Sequence, residues 1–298
     1  MPELPEVETV RAGLQRLLPG HRIVHVTHDW PKGFPNAATD VQVFLVGATV
    51  IGVRRRAKVL IIDLNTEYSL VIHLKMTGQL VYRGDGRRFG AGHPSRSLVG
   101  DLPDSSTRVI FDFEDGGRLF FNDQRKFGWV RLLPTPAVGE LDFFKKVGPE
   151  PLAATFTPEA FSLRLDRRAK SGIKTVLLDQ AVIAGVGNIY ADESLWGAKI
   201  HPETKVKDLS RRQRDDLYRT LRAVLTLSID KGGSTDRNYV DAEGKRGSYL
   251  AFANVFRREG KRCPRCGTTI IKMRTAGRGT HICPRCQVVH PMVKLAPK

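Results

Sequence analysis

The first pattern of apolar residues in the chain is that of an amphipathic helix. Val7, Val10, Leu14 and Leu17 recur at intervals of three or four residues, as on one face of an α-helix. Gly20 follows this face, and glycine commonly ends helices. The chain is therefore predicted to begin with a helix that packs one side against a core.

Strand-like runs dominate the residues that follow. The predicted strands cover residues 22–26, 49–54, 59–64, 70–74, 108–113 and 118–121. A short helix is expected near residues 40–46, closed by Gly47. Residues 83–106 are rich in Gly, Arg, Ser and Pro, which predicts a long surface loop. Two packed sheets with a flanking helix are the economical architecture for this half of the chain.

The second half of the chain has the spacing of helices. Thr157 before Pro158 is a typical helix start, and Ser210 with Gln213 forms a capping box. A regular four-residue spacing is kept by Leu217, Leu221 and Leu225. The chain is therefore predicted to be an α+β protein, with a β-sandwich followed by a helical domain.

A glycine-rich segment lies between two of these helices. Gly185 and Gly187 allow close backbone approach, and Asn188 follows as a candidate N-cap. The amide of Asn188, beside free helix N–H groups, is suited to bind a phosphate. A glycine-turned helix pair that binds nothing is the alternative interpretation.

The charge balance of the chain indicates which class of partner it binds. The 298 residues include 48 Lys and Arg against 31 Asp and Glu, a formal net charge of +17. Such an excess favours polyanionic partners, although ribosomal and membrane-surface proteins share it. The sequence lacks an apolar run of the ~18 residues that span a bilayer, and its N-terminal residues lack the pattern of a signal peptide. A cytoplasmic protein without a membrane partner is the expectation.

All four cysteines lie near the C-terminus, in two Cys-x-x-Cys pairs. The pairs are Cys263 with Cys266 and Cys283 with Cys286. Two such pairs about 15–20 residues apart are typical of a structural zinc site, whereas disulfides are disfavoured inside cells. One structural Zn²⁺ is therefore predicted, within a β-hairpin whose tip is 277–279 and presents Arg278.

The N-terminus offers a second kind of chemistry. Removal of Met1 would expose Pro2 as a secondary amine, with Glu3 and Glu6 close behind it in sequence. An α-amino group has a pKa of about 8, so a large fraction is nucleophilic at neutral pH. Such an amine can form an iminium with a carbonyl carbon while carboxyl groups move protons. A proline-flanked, acidic helix start without catalytic role is the alternative.

Six motifs, in order along nearly the whole chain, resemble those of the bacterial formamidopyrimidine-DNA glycosylases. They are the start Pro-Glu-Leu-Pro-Glu, the runs 54–58, 73–78 and 122–128, the segment 177–193 and the four-cysteine finger. The resemblance implies an N-terminal β-sandwich, a helix-two-turns-helix domain and a zinc-ribbon hairpin, with DNA in a cleft between domains. It also implies excision of oxidised purines, such as 8-oxoguanine and formamidopyrimidines, followed by β,δ-elimination at the abasic site.

The resemblance assigns roles to individual residues. Pro2 matches the nucleophile that attacks sugar C1′, and Glu3 the acid/base that assists ring opening. Glu6 matches a second carboxylate, and Lys58 a lysine that supports catalysis. Without the resemblance, Lys58 would be interpreted as a solvated strand end.

Two further groups of residues are assigned to the DNA. Lys174, Asn188 and Arg278 match positions that grip the phosphate backbone around a flipped nucleotide. A second set fills the hole left in the base stack, with its arginine placed to bond the orphaned cytosine. This set is Met76, Arg125 and Phe127. Met76 on a strand and Phe127 beside a glycine would otherwise be interpreted as core residues.

The resemblance implies a monomer and four segments. They are a β-sandwich over 1–134, a linker over 135–148, a helical domain over 149–250 with a lesion-capping loop over 234–250, and a zinc hairpin with basic tail over 251–298. Departures from the family pattern occur at Lys75, Gln124, Asp236, residues 245–247, Arg257 and Arg262. An endonuclease VIII-like enzyme for oxidised pyrimidines and a non-catalytic, zinc-dependent damaged-DNA-binding protein are the alternatives. Leu4 favours the purine branch, since the pyrimidine branch usually begins Pro-Glu-Gly.

Overall fold

The computed structural model of the chain describes residues 2–93, 95–234 and 249–288. Its contacts divide the chain into two compact units. The first comprises Met1–Lys146 with Ser228–Tyr249, and the second Val147–Leu227 with Leu250–Lys298. The proposed division into four segments is a finer one and stays a prediction.

The first unit contains two antiparallel sheets. Their strands are β1 (Ile23–His28), β2 (Val50–Arg56), β3 (Val59–Leu64), β4 (Tyr68–His73), β5 (Gly78–Gly84), β6 (Arg87–Gly92), β7 (Thr107–Phe113), β8 (Arg118–Asp123) and β9 (Trp129–Pro134). The five-stranded sheet has the order β1-β7-β8-β5-β6 and the four-stranded sheet the order β2-β3-β4-β9. The six predicted strands are thereby confirmed with small shifts at their ends.

One hydrophobic core joins both sheets and the first helix. Val7, Val10 and Leu14 of helix α1 (Leu4–Leu17) belong to one buried cluster that includes residues of all nine strands. The predicted short helix is present as α2 (Ala38–Asp40), which continues in a π-helical turn, Val41–Leu45. The expected β-sandwich with flanking helix is confirmed.

The prediction of a long surface loop over residues 83–106 is wrong. Strand β6 lies within this segment and pairs along its whole length with β5. Its sequence, with glycines at 90 and 92, lacks the β-branched residues by which strands are recognised. Here the ladder and the packing of Phe89 on α1 override local propensity. Leu98 beyond β6 is also buried, in a small cluster with Val81 and Phe120.

Residues 135–146 make up most of the segment that is predicted to be a linker. They form a 3₁₀ turn, Thr135–Glu140, and the short helix α3 (Asp142–Lys146). Val138 is buried with residues of β3 and β4, and Phe143 and Phe144 pack on the same cluster. This segment therefore covers the outer face of the four-stranded sheet.

The second unit is helical and ends in the four-cysteine hairpin. Its helices are α4 (Pro158–Asp166), α5 (Ile173–Leu178), α6 (Asn188–Gly197) and α7 (Arg211–Asp230), the last of which continues into the first unit at Ser228. Thr157 Oγ1 accepts a bond from the N–H of Ala160, so the predicted cap of α4 is confirmed. Ser210 and Gln213 form both bonds of the predicted capping box before α7.

The hairpin consists of β10 (Ile271–Thr275) and β11 (Arg278–Ile282). The expected tip at 277–279 is displaced by one residue, because Arg278 pairs with Thr275 as part of β11. The turn is Ala276-Gly277, with φ of 54° and 71°. A two-residue turn with positive φ at both positions matches the right-handed twist of a hairpin. Within the part of the chain that the structure describes, none of the helices combines the length and the apolar composition that crossing a bilayer requires.

Gly13→Ala is predicted to destabilise the first unit. Alanine favours helix by about 1 kcal/mol over glycine, but its Cβ would lie 2.1 Å from Cζ of Phe89. Overpacking of this kind costs about 1–3 kcal/mol, so the unfolding free energy should fall on balance. Urea unfolding followed by circular dichroism measures the change.

The matched control is Gly139→Ala, where an added Cβ meets no described atom within 4 Å. It should alter the unfolding midpoint little. A Gly13→Ala chain that is as stable as the wild type would show that β6 does not pack on α1 in this way.

Candidate active site, DNA-binding residues and zinc site

A carboxylate holds the beginning of the chain in place. Glu3 is the N-cap of α1, and its backbone N–H donates to Glu6 Oε2 over 2.7 Å. The other oxygen, Oε1, accepts a bond of 2.7 Å from the N–H of Ser234. Pro2, Glu3 and Glu6 are all buried. The residue that would bear the amine is therefore packed into the first unit instead of lying on a free chain end.

Glu6 joins the chain end to a distant segment of the same unit. Both of its oxygens bind backbone N–H groups that are far apart in sequence. Gly233 lies against it with φ of 88°, where a Cβ would come within 3.3 Å of Glu6. The predicted lesion-capping loop begins here, but 235–248, including Asp236 and 245–247, lie outside the described residues.

Lys58 is buried in the turn between β2 and β3. Its exposed fraction is 6%, so the interpretation as a solvated strand end is wrong. It lies near His73, whose pKa is lowered to about 3 because burial disfavours the imidazolium and because Lys75 and Lys58 add positive charge. His73 Nδ1 accepts a bond from the N–H of Lys75, 3.0 Å long. A neutral imidazole thus accompanies the buried ammonium.

The turn after β8 is organised by the carboxylate of Asp123. Its Oδ2 accepts bonds from the N–H groups of Phe127, at 2.8 Å, and Gly128, at 2.7 Å. Its Oδ1 binds the hydroxyl of Thr77 and the N–H of Arg125. Asp123 is 1% exposed. One buried carboxylate therefore fixes the backbone that carries two of the three proposed stack-filling residues.

These two side chains extend from the turn into solvent. Phe127 is 53% exposed, and the Arg125 guanidinium lies over its ring with Cζ 4.7 Å from the centroid. An exposed phenylalanine does not support the interpretation as core. Met76 is half-buried in the turn between β4 and β5, and not on a strand. Lys75 beside it has φ of 50° and Arg257 has φ of 55°, in the left-handed region that glycine adopts most readily.

Asn188 is the first residue of α6 and not its N-cap, which is Gly187. Its Nδ2 donates to the carbonyl of Gly279 on β11 over 2.9 Å. The amide therefore ties the helix to the hairpin. Arg278, the residue before Gly279, is exposed at the end of β11.

Lys174 lies inside the second unit. Its Nζ is 2.6 Å from Asp192 Oδ1 and 2.7 Å from Thr280 Oγ1, and both charged side chains are fully buried. Asp192 Oδ2 accepts a bond of 2.9 Å from the N–H of His281. This geometry favours support of the hairpin over direct contact with a phosphate.

The four cysteines converge at the base of the hairpin. Their sulfur atoms all lie within 4.8 Å of one another, and Cys266 Sγ is 3.4 Å from Cys283 Sγ and 3.5 Å from Cys286 Sγ. Zn–S bonds of about 2.3 Å in a tetrahedron separate the sulfurs by about 3.8 Å. The donor set and its spacing fit Zn²⁺, and four protein ligands leave no position for a catalytic water. A metal bound here is structural.

Family profiles match three segments of the chain. Residues 1–130 match the formamidopyrimidine-DNA glycosylase N-terminal domain, and residues 147–239 the H2TH domain of the same enzymes. Residues 260–288 match a zinc finger found in FPG and IleRS. The three matches follow one another in the order that the motifs predict.

Whole-chain comparisons agree with these profiles. A formamidopyrimidine-DNA glycosylase of Pelotomaculum thermopropionicum is 43% identical over 97% of this chain and 100% of its own length. The corresponding protein of Chloroflexus aurantiacus is 42% identical over 97% and 98%. This chain belongs to the formamidopyrimidine-DNA glycosylase family. Its predicted fold class and family are confirmed.

Solved structures of the glycosylase family include complexes with DNA. A point mutant of the Lactococcus lactis FPG, in complex with DNA that contains Fapy-dG, has a TM-score of 0.84, 35% identity and coverage of 96% of this chain and 99% of that one. The Lactococcus lactis Fpg complex with abasic-site DNA gives 0.84 and 34% over the same shares. MutM with carbocyclic 8-oxo-G DNA gives 0.82 and 34%, again over 96% and 99%.

Three carboxylates that organise these glycosylase sites escaped the sequence reasoning. Asp123 and Asp192 are described above, and Glu193 accepts bonds from the N–H groups of Asn254, Val255 and Phe256 at 2.8–2.9 Å. For Asp123 the turn sequence around it was a usable signal, because Asp often bonds backbone two residues on. Asp192 and Glu193 lie on helix α6, and the sequence around them does not indicate which groups they bind.

Phe127→Ala is predicted to weaken binding to a duplex that carries an abasic-site analogue by about tenfold, since stacking of an aromatic ring on bases contributes about 1–3 kcal/mol. The melting temperature should be nearly unchanged, because the side chain is half exposed. Fluorescence anisotropy and differential scanning fluorimetry measure the two quantities. Leu163→Ala, at a residue 68% exposed on α4, is the control and should change neither. A large loss of thermal stability in Phe127→Ala would instead support a core role.

Proposed function

We propose that this chain is a bifunctional DNA glycosylase and abasic-site lyase that removes oxidised purines from duplex DNA. The observation that carries the proposal is the buried chain end, where Pro2 is followed by two carboxylates and anchored through Glu6. Family membership and the lesions in the relatives' complexes, Fapy-dG, 8-oxo-G and an abasic site, indicate the substrate class.

The amine of Pro2 is proposed to attack C1′ of the damaged nucleoside once Met1 has been removed. The N-glycosyl bond breaks, its electron pair leaves with the base, and the sugar ring opens as the C1′ iminium forms. Glu3, at 4% exposure, is placed to give a proton to the ring oxygen and to move protons later. The iminium then acts as an electron sink, so that loss of the C2′ proton expels the 3′-phosphate and a second elimination expels the 5′-phosphate.

Lys58 and Glu6 have different parts in this proposal. Lys58 contributes a positive charge within the first unit, beside a His73 that stays neutral because its pKa is about 3. We assign it to the phosphate near the lesion and to proton transfer. Glu6 uses both oxygens on backbone N–H groups, which makes it a positioning carboxylate for the N-terminus.

C1′ is reachable only if the damaged nucleotide leaves the base stack. The exposed pair Phe127 and Arg125, together with Met76, is proposed to fill the resulting gap. The Asp123 bonds hold this turn rigid before DNA arrives. Because the turn is already ordered, less conformational entropy is lost when its side chains enter the base stack.

The second unit is proposed to hold the phosphate backbone. Arg278 is exposed beside the hairpin turn, and Asn188 and Lys174 fix the strand that carries it. The net charge of +17 supports strong, salt-sensitive binding to DNA. We propose that the protein acts as a monomer on chromosomal DNA in the bacterial cytoplasm.

Borohydride should trap a covalent complex between the chain and a duplex that contains an abasic site. Reduction of the iminium fixes the bond, and peptide mapping should place the adduct on Pro2. The sample is one whose intact mass shows that Met1 is absent. Pro5→Ala, which leaves the amine of Pro2 in place, is the matched control and should be trapped as well.

A chain extended at its N-terminus should bind the same duplex without being trapped, because the nitrogen of Pro2 is then an amide. If the chain with a free Pro2 also bound without trapping, the protein would be the non-catalytic DNA-binding alternative. Equal trapping of the extended chain would place the nucleophile on another residue.

Excision should be faster from an 8-oxoguanine·cytosine duplex than from a thymine-glycol·adenine duplex. Single-turnover measurements with excess protein compare the two rates directly. Release of thymine glycol alone would assign the chain to the pyrimidine branch and overturn the substrate class proposed above.

A further inference from the structure

The C-terminal end of helix α6 contacts the zinc site through a side chain. Trp196 is half-buried on the last turn of α6, and its indole Nε1–H donates to Cys263 Sγ over 3.4 Å. The indole packs in the same cluster as Val255 and Ile270. A hydrogen-bond donor from the helical part of the second unit thus lies against a metal ligand.

Arg265 fixes the orientation of this indole. It belongs to the loop between Cys263 and Cys266, and its guanidinium Cζ lies 4.0 Å from the centroid of the Trp196 ring. The same guanidinium donates to the carbonyl oxygens of Trp196, at 2.9 Å, and Gly197, at 3.2 Å. A cation on the last carbonyls of a helix is favourable. A side chain of α6 therefore donates to the cysteine site, and a side chain of the cysteine loop donates to the end of α6.

The chemistry of the ligand set explains what such a donor does. Four thiolates around one Zn²⁺ leave an excess of two negative charges, which N–H donors offset. A donor withdraws electron density from the sulfur, so the sulfur becomes a poorer acceptor for protons and electrophiles. Partners around a metal's ligands commonly change metal affinity by about 10–100-fold. Because Cys263 is only 2% exposed, water cannot easily replace a lost donor.

We propose that Trp196 is an outer-sphere element of the zinc site, whose indole N–H bonds to the Cys263 thiolate and slows loss of the metal. Backbone N–H groups can donate to the sulfurs whatever the side chains are. The bond from the N–H of Cys286 to Cys283 Sγ is of this backbone kind. The bond to Cys263 depends on one side chain. Retention of zinc is therefore coupled to α6, the helix that begins at Asn188.

Trp196→Phe tests the proposal because phenylalanine keeps a planar ring and removes the N–H. Zinc transfer from the full-length zinc-loaded protein to an excess of a chromogenic chelator is followed by absorbance. The variant should release zinc about tenfold faster than the wild type. Trp129→Phe, the same substitution in the first unit, is the matched control and should release zinc at the wild-type rate. Equal rates for all three proteins would overturn the proposal.

A second measurement needs no variant of Trp196 and separates hydrogen bonding from packing. The wild-type protein is loaded with ¹¹³Cd, and the indole N–H proton of Trp196 is examined for scalar coupling to the metal through the sulfur. Its signal is assigned by elimination with Trp30→Phe and Trp129→Phe. Coupling is the expected result. A zinc-release effect without coupling would mean that the ring acts by packing, and the proposed donor role would be wrong.

Discussion

The bonds from two backbone N–H groups to the Glu6 carboxylate are the constraint on which the candidate active site depends. A chain end is ordinarily the part of a protein that frays, and a nucleophile placed there would occupy many positions. One oxygen of Glu6 binds Glu3 and the other binds Ser234. Charge-assisted bonds of this length are about twice as strong as neutral ones. They are also close to the N-terminus of α1, where a negative charge is favourable.

Two further buried carboxylates accept bonds from backbone N–H groups of irregular segments. Asp123 accepts bonds from N–H groups of the turn after β8, and Glu193 accepts bonds from Val255 and Phe256, which precede the cysteine hairpin. Burying a carboxylate is costly unless its oxygens are bonded. In each case backbone N–H groups of an irregular segment donate to the carboxylate. The buried charge and the irregular backbone therefore stabilise each other. This allows a loop to hold a side chain of the site in a fixed position.

Local patterns in the sequence were sufficient for most of the architecture. Amphipathic spacing predicted α1, and cysteine spacing predicted the metal site. Strand β6 was missed because its stability comes from pairing with β5 and from Phe89 meeting a glycine of α1. Motif resemblance assigned a role to Lys58, yet gave no indication that it is buried or that His73 stays neutral beside it. Prediction fails where long-range packing, and not local propensity, decides the structure.

Lys174 shows how a transferred role changes when burial is known. An ion pair fully removed from water gains little stability over an apolar pair, because desolvation offsets the Coulomb attraction. The ion pair between Lys174 and Asp192 therefore contributes more to the positioning of its neighbours than to the stability of the fold. The described apolar cluster of the hairpin region is small, with Val255 and Ile270 beside two cysteines, so packing alone specifies its position poorly. The bond from Lys174 to Thr280 and the bond from the His281 N–H to Asp192 fix the position of β11, and with it the position of Arg278, for which we propose a phosphate contact.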